Sequence, residues 1–131
     1  MKNFQLKYID LSLLLLRLTF ASLMFLNHGW PKVLDFEEKF HSFPDPIGVG
    51  SEISYALTIF GEVFCPVLVA IGLFTRYASI PIIITMGVAI FIIHGADPLA
   101  KKEMALLYLV PFLVLLISGP GKLSLDSKLK V

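Results

Sequence analysis

Charge and cysteine are both scarce in this chain of 131 residues. Charged residues make up 16% of it, against about 25% in an ordinary soluble domain, and most of them lie between apolar runs. The single cysteine, Cys65, cannot close a disulfide within the chain, and we expect it to be a small buried apolar residue. The net charge is +1, with no basic stripe interleaved with aromatic residues. The sequence therefore gives no indication of a nucleic-acid-binding surface.

Apolar residues dominate what is present. They make up 56% of the chain, and the mean hydropathy is +0.82. Four apolar runs cover about residues 9–30, 52–74, 77–96 and 104–118. Each is of spanning or near-spanning length, since about 20 apolar residues in a helix cross a bilayer. The sequence predicts an all-α integral membrane four-helix bundle that forms one domain over residues 1–131.

The connection after the first run has its own pattern, over about residues 32–43. Phe36, Phe40 and Phe43 recur at helical spacing, with charged residues on the other side. This predicts an interfacial amphipathic helix. The loop charges are unevenly distributed, with six Lys and Arg on the side of the two termini and four on the other. The bias favours both termini in the cytoplasm.

Arg17 interrupts the first apolar run. Ala21, Met24 and His28 fall on the same helical stripe as Arg17, because eleven residues complete three turns plus about 20°. An ionisable side chain within a membrane helix almost always faces protein or a water-filled cavity. We therefore expect this stripe to face the interior of the bundle.

Glu62 is the other charge within a predicted span, and we expect it to pair with Arg17. Pro66 should leave the carbonyl of Glu62 without its helical donor, which adds an acceptor at the same depth. An arginine has five donors with which to satisfy both groups. Two interpretations remain open at this point: a structural bridge between helices, or a proton or substrate site.

A second set of polar residues is predicted to lie near the opposite, non-cytoplasmic surface: His28, Lys32, His94 and Glu103. Their spacing does not support a metal site, because no i,i+4 histidine pair or HExxH sequence is present. One interpretation is a polar rim around an apolar pocket, with a quinone headgroup between His28 and His94 and with Glu103 orienting one imidazole. The alternative is that these side chains simply face water or lipid headgroups.

Several segments together resemble the DoxX family of small four-span membrane proteins. The matching segments are LLLLRLTFASLMFLNHGWPK, GEVFCPVLVAIGLFTR, His94 at the end of the third run, KEMALLYL, and GPGKLSLD over residues 119–126. The resemblance implies a bacterial cytoplasmic (inner) membrane location and a redox association, because the family takes its name from a subunit of a thiosulfate:quinone oxidoreductase. The resemblance does not imply that thiosulfate is a substrate of this chain. Other relatives look like accessory proteins of redox systems or assembly factors.

The sequence and the resemblance together predict a redox-associated, quinone-linked membrane subunit that binds a small apolar molecule. The candidate binding residues are Arg17, His28, Glu62, His94 and Glu103. The sequence carries no flavin, haem or nucleotide motif, so we expect electrons to come from a redox partner protein. The alternative is a non-catalytic scaffold or assembly factor for another membrane protein. Catalysis and oligomeric state are left open.

Overall fold

The computed structural model describes residues 2–131, with every side chain in that range except that of Lys2. The described residues are helical with connecting turns and form no strand. In chain order the helices are α1 (Lys2–Met24), π1 (Phe25–Gly29), α2 (Trp30–Leu34), α3 (Phe36–Lys39), α4 (Ser51–Ile59), π2 (Phe60–Phe64), α5 (Cys65–Ile71), α6 (Thr75–Val88), π3 (Ala89–Ile93), α7 (Leu99–Ser118) and α8 (Leu125–Leu129).

Three continuous helices are long and apolar enough to cross a membrane. We call them the first helix (Asn3–Leu34), the second helix (Ser51–Ile71) and the third helix (Thr75–Ile93). α7 has 20 residues but carries Lys101, Lys102 and Glu103 near its start. The predicted apolar runs therefore correspond to helices, although the first helix begins well before residue 9.

The long helices pack in chain order around one core. The first helix contacts α5, α5 contacts α6, α6 contacts α7, and α7 returns to the first helix. The core consists of buried apolar side chains from all four: Ala21, Met24, Cys65, Val69, Ala78, Ile82, Met86, Tyr108, Phe112 and Leu115. Cys65 is buried in this core, as its apolar surroundings predict.

The inward-facing stripe of the first helix is confirmed for its first three members. Arg17, Ala21 and Met24 are each no more than 1% exposed. His28 is half-buried, and the edge of its ring meets Tyr108 of α7 at a centroid distance of 5.0 Å.

The segment after the first helix is less regular than predicted. In place of one helix over about residues 32–43, α2 ends at Leu34, α3 covers Phe36–Lys39, and turns follow. The three phenylalanines gather around one ring of the second helix. Phe36, Phe40 and Phe43 lie with their ring centroids 5.8, 6.1 and 4.9 Å from that of Tyr55. Tertiary packing on Tyr55 therefore bends a segment whose sequence alone favours a straight helix.

Candidate functional site

Two wide helical turns place the polar groups of the first and second helices. π1 ends before Pro31 and π2 ends before Pro66. A proline has no amide hydrogen, and its ring crowds the carbonyl four residues earlier, so a wider turn relieves the clash. The amides of Trp30 and Cys65 then bond to carbonyls five residues back. The turns lie within the apolar first and second helices, and one contains His28 while the other contains Glu62.

The two wide turns touch each other at Gly29. A Cβ on Gly29 would overlap the carbonyl oxygen of Glu62 and would lie 2.7 Å from its carbonyl carbon. Only glycine permits this approach, which is the usual device for close packing of membrane helices. The contact sets the register between the first and second helices.

Glu62 forms an ion pair with Lys32. The ammonium nitrogen of Lys32 lies 2.5 Å from Oε2 of Glu62 and also donates to the carbonyl of His28 at 3.1 Å. Glu62 is 5% exposed, whereas the side chain of Lys32 is 24% exposed. A lysine has three N–H donors, so one remains after these two bonds. The pair thus has a deeply buried acid and a lysine that can still donate to a ligand.

A cavity of about 430 Å³ opens beside this pair, between the second helix, the third helix and the loop before the second helix. Its polar lining consists of Lys32, Ser54, Thr58, Glu62 and Thr85. The rest of its wall is apolar: Phe43, Pro44, Pro46, Ile47, Leu57, Phe60, Pro81, Ile84, Met86, Val88, Ala89 and Ile93. An apolar cavity with a few convergent polar groups is the usual form of a small-molecule site.

The hydroxyl groups of the cavity are available mainly as acceptors. Thr58 donates to the carbonyl of Ser54 at 2.8 Å, and Thr85 donates to that of Pro81 at 2.8 Å. The hydroxyl of Ser54 donates to Asp45 at 2.8 Å. Each hydroxyl hydrogen is therefore used, while the oxygen lone pairs can still accept. Lys32 is the group in the lining that can supply a donor.

The outer wall of the cavity is held by Asp45 and Tyr55. Asp45 accepts bonds from the amides of Val49 and Gly50 at 2.9 and 2.8 Å, in addition to the bond from Ser54. The hydroxyl of Tyr55 donates to the carbonyl of Lys32. These bonds tie the loop of residues 43–50 to the start of the second helix and to the end of the first.

We expect replacement of Asp45 by alanine to loosen this wall. The bonds from Ser54 and Gly50 hold the pKa of Asp45 below its ordinary value of 3.8. The stabilisation is therefore complete above the ordinary pKa and is lost as the pH falls through the lower, folded-state pKa. Amide exchange at Val49 and Gly50 should accelerate about tenfold in the variant, the effect of losing roughly one hydrogen bond. Hydrogen exchange measured at pH 6 checks this, and exchange equal to that of the parent would contradict it.

None of His28, His94 and Glu103 lines the cavity beside Lys32 and Glu62. His28 contacts Tyr108, and the imidazole of His94 is oriented by Asp97 through a bond of 2.8 Å. Glu103 is exposed and forms no hydrogen bond or ion pair with another described side chain. The prediction that Glu103 orients an imidazole is therefore wrong, because α7 begins only at Leu99 and Asp97 lies three residues after His94, within reach of its ring.

The predicted pair of Arg17 and Glu62 is also wrong. Arg17 donates from its two terminal nitrogens to the carbonyls of Pro120 and Leu123, at 3.0 and 2.7 Å. Since Gly29 lies against Glu62 and Arg17 lies against Gly72, the antiparallel helices place the two charges about ten residues apart along the bundle. At 1.5 Å per residue that separation is about 15 Å, too far for a contact.

Arg17 instead belongs to a cluster at the opposite end of the bundle, which we call the terminal cluster: Arg17, Gly72, Thr75, Pro120, Leu123, Ser124 and Asp126. The carboxylate of Asp126 accepts from the amides of Phe74 and Thr75 at 2.6 and 2.9 Å, at the start of the third helix. The amide of Asp126 donates in turn to the carbonyl of Gly72 at 2.8 Å. The segment after α7 thus closes this end of the bundle.

Gly72 is required where Arg17 passes under the terminal segment. It has a φ of +73°, and a Cβ there would overlap the guanidinium of Arg17 and lie 2.6 Å from Cβ of Ser124. Both the left-handed backbone and the close approach exclude a side chain.

Two residues of the candidate site could not be placed from sequence. The sequence predicts Lys32 only as one member of the polar residues near the non-cytoplasmic surface. Its spacing of four residues from His28 was the available signal, because that spacing brings the two residues together on a helix. Asp45 lies in a loop rich in proline and glycine. An Asp in such a loop commonly accepts hydrogen bonds from the backbone amides of the turn that follows it. Across residues 2–131, no three His, Cys, Asp or Glu side chains gather closely enough to share a metal ion.

Comparisons with known proteins give one family and two similar proteins. The family model described as DoxX matches residues 12–95. Two proteins of Haemophilus influenzae (strain ATCC 51907 / DSM 11121 / KW20 / Rd), each described as uncharacterized, are similar over most of their length. One is 34% identical over 131 residues, covering 93% of this chain and 93% of the relative. The other is 31% identical over 127 residues, covering 91% and 83%. No solved structure matches.

Proposed function

Because this chain belongs to the DoxX family and is a membrane protein, we propose that it binds a lipid-soluble quinone in the cavity beside Lys32 and Glu62. Its role is that of a redox-associated membrane subunit that exchanges electrons with a partner protein. The observation that carries the proposal is the ion pair of Lys32 and Glu62, which sits in the wall of an otherwise apolar cavity between two membrane helices.

The polar groups of the cavity suit both oxidation states of a quinone. A quinone carbonyl accepts hydrogen bonds, and the third N–H of Lys32 is a donor with no other use. A quinol hydroxyl must donate, and Glu62 and the oxygens of Thr58 and Thr85 can accept. Glu62, bonded through Oε2, keeps its second carboxylate oxygen for this purpose. The site can therefore hold the headgroup before and after reduction.

The apolar wall suits the membrane-soluble part of such a ligand. Leu57 of the second helix and Ile84 of the third are 51% and 60% exposed, and both line the cavity. Exposed apolar side chains on membrane helices face lipid, so the cavity opens sideways toward the bilayer. A quinone reaches it from the hydrocarbon without crossing water.

The same proposal includes a topology of four spans with both termini in the cytoplasm of a bacterial inner membrane. α7 serves as the fourth span: its uncharged part, residues 104–118, extends about 22 Å, and its charged start lies at the membrane surface. The bond between Asp10 and the amide of Lys122 supports this, because it holds both terminal segments at one end of the bundle. The segment that carries Phe36, Phe40 and Phe43 then lies over the cavity, at the non-cytoplasmic surface of the inner membrane.

Cysteine labelling tests the topology. In a variant with Cys65 replaced by serine, Lys39→Cys should react with a membrane-impermeant maleimide added to whole cells. Ser127→Cys should react only after the membrane is opened. Both positions are exposed in the structure, so accessibility of the side chain itself does not limit the reaction. Labelling of position 39 only from the cytoplasmic side would overturn the orientation.

Quinone binding by purified protein tests the function. We expect a short-chain ubiquinone analogue to bind the parent, and Lys32→Met to weaken binding about tenfold, the value of one charge-assisted hydrogen bond. His94→Gln is the matched control, because His94 does not line the cavity, and it should bind as the parent does. Absence of binding by the parent, together with a membrane protein that co-purifies, would favour a scaffold or assembly role instead.

A further inference from the structure

A second, separate groove lies at the end of the bundle that carries both terminal segments. It has a volume of about 670 Å³ and runs between the start of α1 and the segment after α7. We call it the terminal groove, and its principal walls are Phe4, Lys7, Leu11, Lys122 and Leu123. Phe4, Leu11 and Leu123 are 64%, 45% and 50% exposed. The groove therefore combines apolar walls with two lysines.

The groove carries a net positive charge, because two lysines and the single carboxylate of Asp10 line it. Within residues 3–131, neither the Lys7 nor the Lys122 ammonium forms an ion pair or a hydrogen bond. Asp10 also lines the groove, and its Oδ1 accepts from the backbone amide of Lys122 at 2.8 Å, which fixes the carboxylate in place and leaves one lysine charge in excess. Lys128 and Lys130 follow on the same terminal segment and add to the positive potential at this end.

We propose that the terminal groove binds an anionic phospholipid. The phosphate lies between the ammonium groups of Lys7 and Lys122, and the acyl chains run along Leu11 and Leu123 toward the bilayer. The ammonium groups complement the single negative charge of a phosphodiester. Contact with the acyl chains removes exposed apolar side chains from water, which is favourable.

The depth of the groove in the bundle favours a lipid over a second protein copy. Asp10 lies seven residues before Arg17, and Arg17 is level with the end of the second helix at Gly72. Leu123 accepts a bond from Arg17 and lines the groove, so the groove begins near that level, and Asp10 lies about 10 Å further out at 1.5 Å per residue. Headgroups occupy this zone, just outside the hydrocarbon. The proposal depends on membrane insertion and not on quinone binding, so the two can fail independently.

Lipid retention by the full-length protein tests this site. Protein in a neutral detergent is titrated with short-chain phosphatidylglycerol or with phosphatidylcholine of the same chain length, and bound lipid is counted by native mass spectrometry. We expect one phosphatidylglycerol per chain at saturation and much weaker binding of phosphatidylcholine. The double variant Lys7→Gln with Lys122→Gln should bind phosphatidylglycerol about tenfold more weakly, since each lysine near an anionic surface contributes several-fold.

A matched double variant separates the groove from general charge. Lys128→Gln with Lys130→Gln removes the same charge from the same end but leaves the groove unchanged, and its binding should stay within about twofold of the parent. Both glutamine substitutions in the groove keep the amide bond from Lys122 to Asp10, so folding is preserved.

Three results would overturn the proposal. Equal losses in the two double variants would show a diffuse charge effect. Equally tight binding of free glycerol phosphate would show a phosphate site that makes no use of the apolar walls. Formation of a dimer that excludes lipid would show that a second copy of the chain occupies the groove.

Discussion

Replacing Arg17 by leucine should lower the free energy of unfolding by about 3–5 kcal/mol, the largest effect expected of any single substitution here. Arg17 is 1% exposed, and its guanidinium satisfies the carbonyls of Pro120 and Leu123. Each lost bond from a charged donor costs about 1.5–3 kcal/mol. Leucine also leaves the space beside Gly72 unfilled. Unfolding of the purified protein by SDS in mixed micelles measures the loss.

Two comparisons make this prediction specific. Arg76→Leu removes an arginine from the same end, but Arg76 is exposed and donates one bond of 3.2 Å to Ile117, so it should cost less than about 1 kcal/mol. Arg17→Lys should fall between the two, because an ammonium retains the charge but cannot reach both carbonyls with a planar fork. A loss in Arg17→Leu no greater than that in Arg76→Leu would show that the terminal segment is not held by Arg17.

Replacing Lys32 by leucine should cost about 3 kcal/mol and should also remove most quinone binding. The partner Glu62 would remain 5% exposed with an uncompensated charge, which is strongly destabilising. The expected value lies at the low end of the range for buried pairs, because the side chain of Lys32 is 24% exposed and the pair is therefore not fully removed from solvent. The unfolding assay used for Arg17 gives the stability change, and analogue binding gives the functional change.

Double variants distinguish the pairing of Glu62 with Lys32 from the pairing with Arg17 that the sequence predicts. Lys32→Leu with Glu62→Leu should be milder than the sum of its single changes, because the second substitution removes the uncompensated charge. Arg17→Leu with Glu62→Leu should be additive to within about 0.5 kcal/mol, because these residues do not touch. Strong coupling in the second pair and additivity in the first would mean that the helix register is wrong.

The helices themselves were predictable because hydrophobic length and periodicity are local properties. The stripe of Arg17, Ala21 and Met24 followed from the 3.6-residue period alone, and the structure buries all three. The burial of Cys65 followed from its apolar neighbours in the same way.

The partners of the charged residues were not predictable from the same information, because they depend on how far one helix is shifted against another. A depth of 1.5 Å per residue, taken from predicted span ends near residues 9 and 74, puts Arg17 and Glu62 within about 6 Å of each other along the bundle. The contact of Gly29 with Glu62 fixes a register in which they are about 15 Å apart. No residue pattern reports that register before the helices are packed.

Arg17 was also misassigned because its partners carry no side-chain signal. The usual partner of a buried arginine is a carboxylate, whereas the two terminal nitrogens of Arg17 donate to two backbone carbonyls more than 100 residues away in sequence. The sequence GPGKLSLD did indicate a turn-rich terminal segment, but only the structure shows that Asp126 caps the third helix and that the segment covers the guanidinium.

Photo-crosslinking tests most directly whether a quinone headgroup lies beside Lys32 and Glu62. A short-chain azido-quinone is bound to the full-length protein, activated by light, and located by peptide mass spectrometry, with unlabelled quinone as competitor. We predict that the competed label falls on residues 54–62 and 81–93, the helical walls of the cavity. Competed label on the segments that carry His28, His94 or Glu103, with none on the cavity walls, would contradict the account.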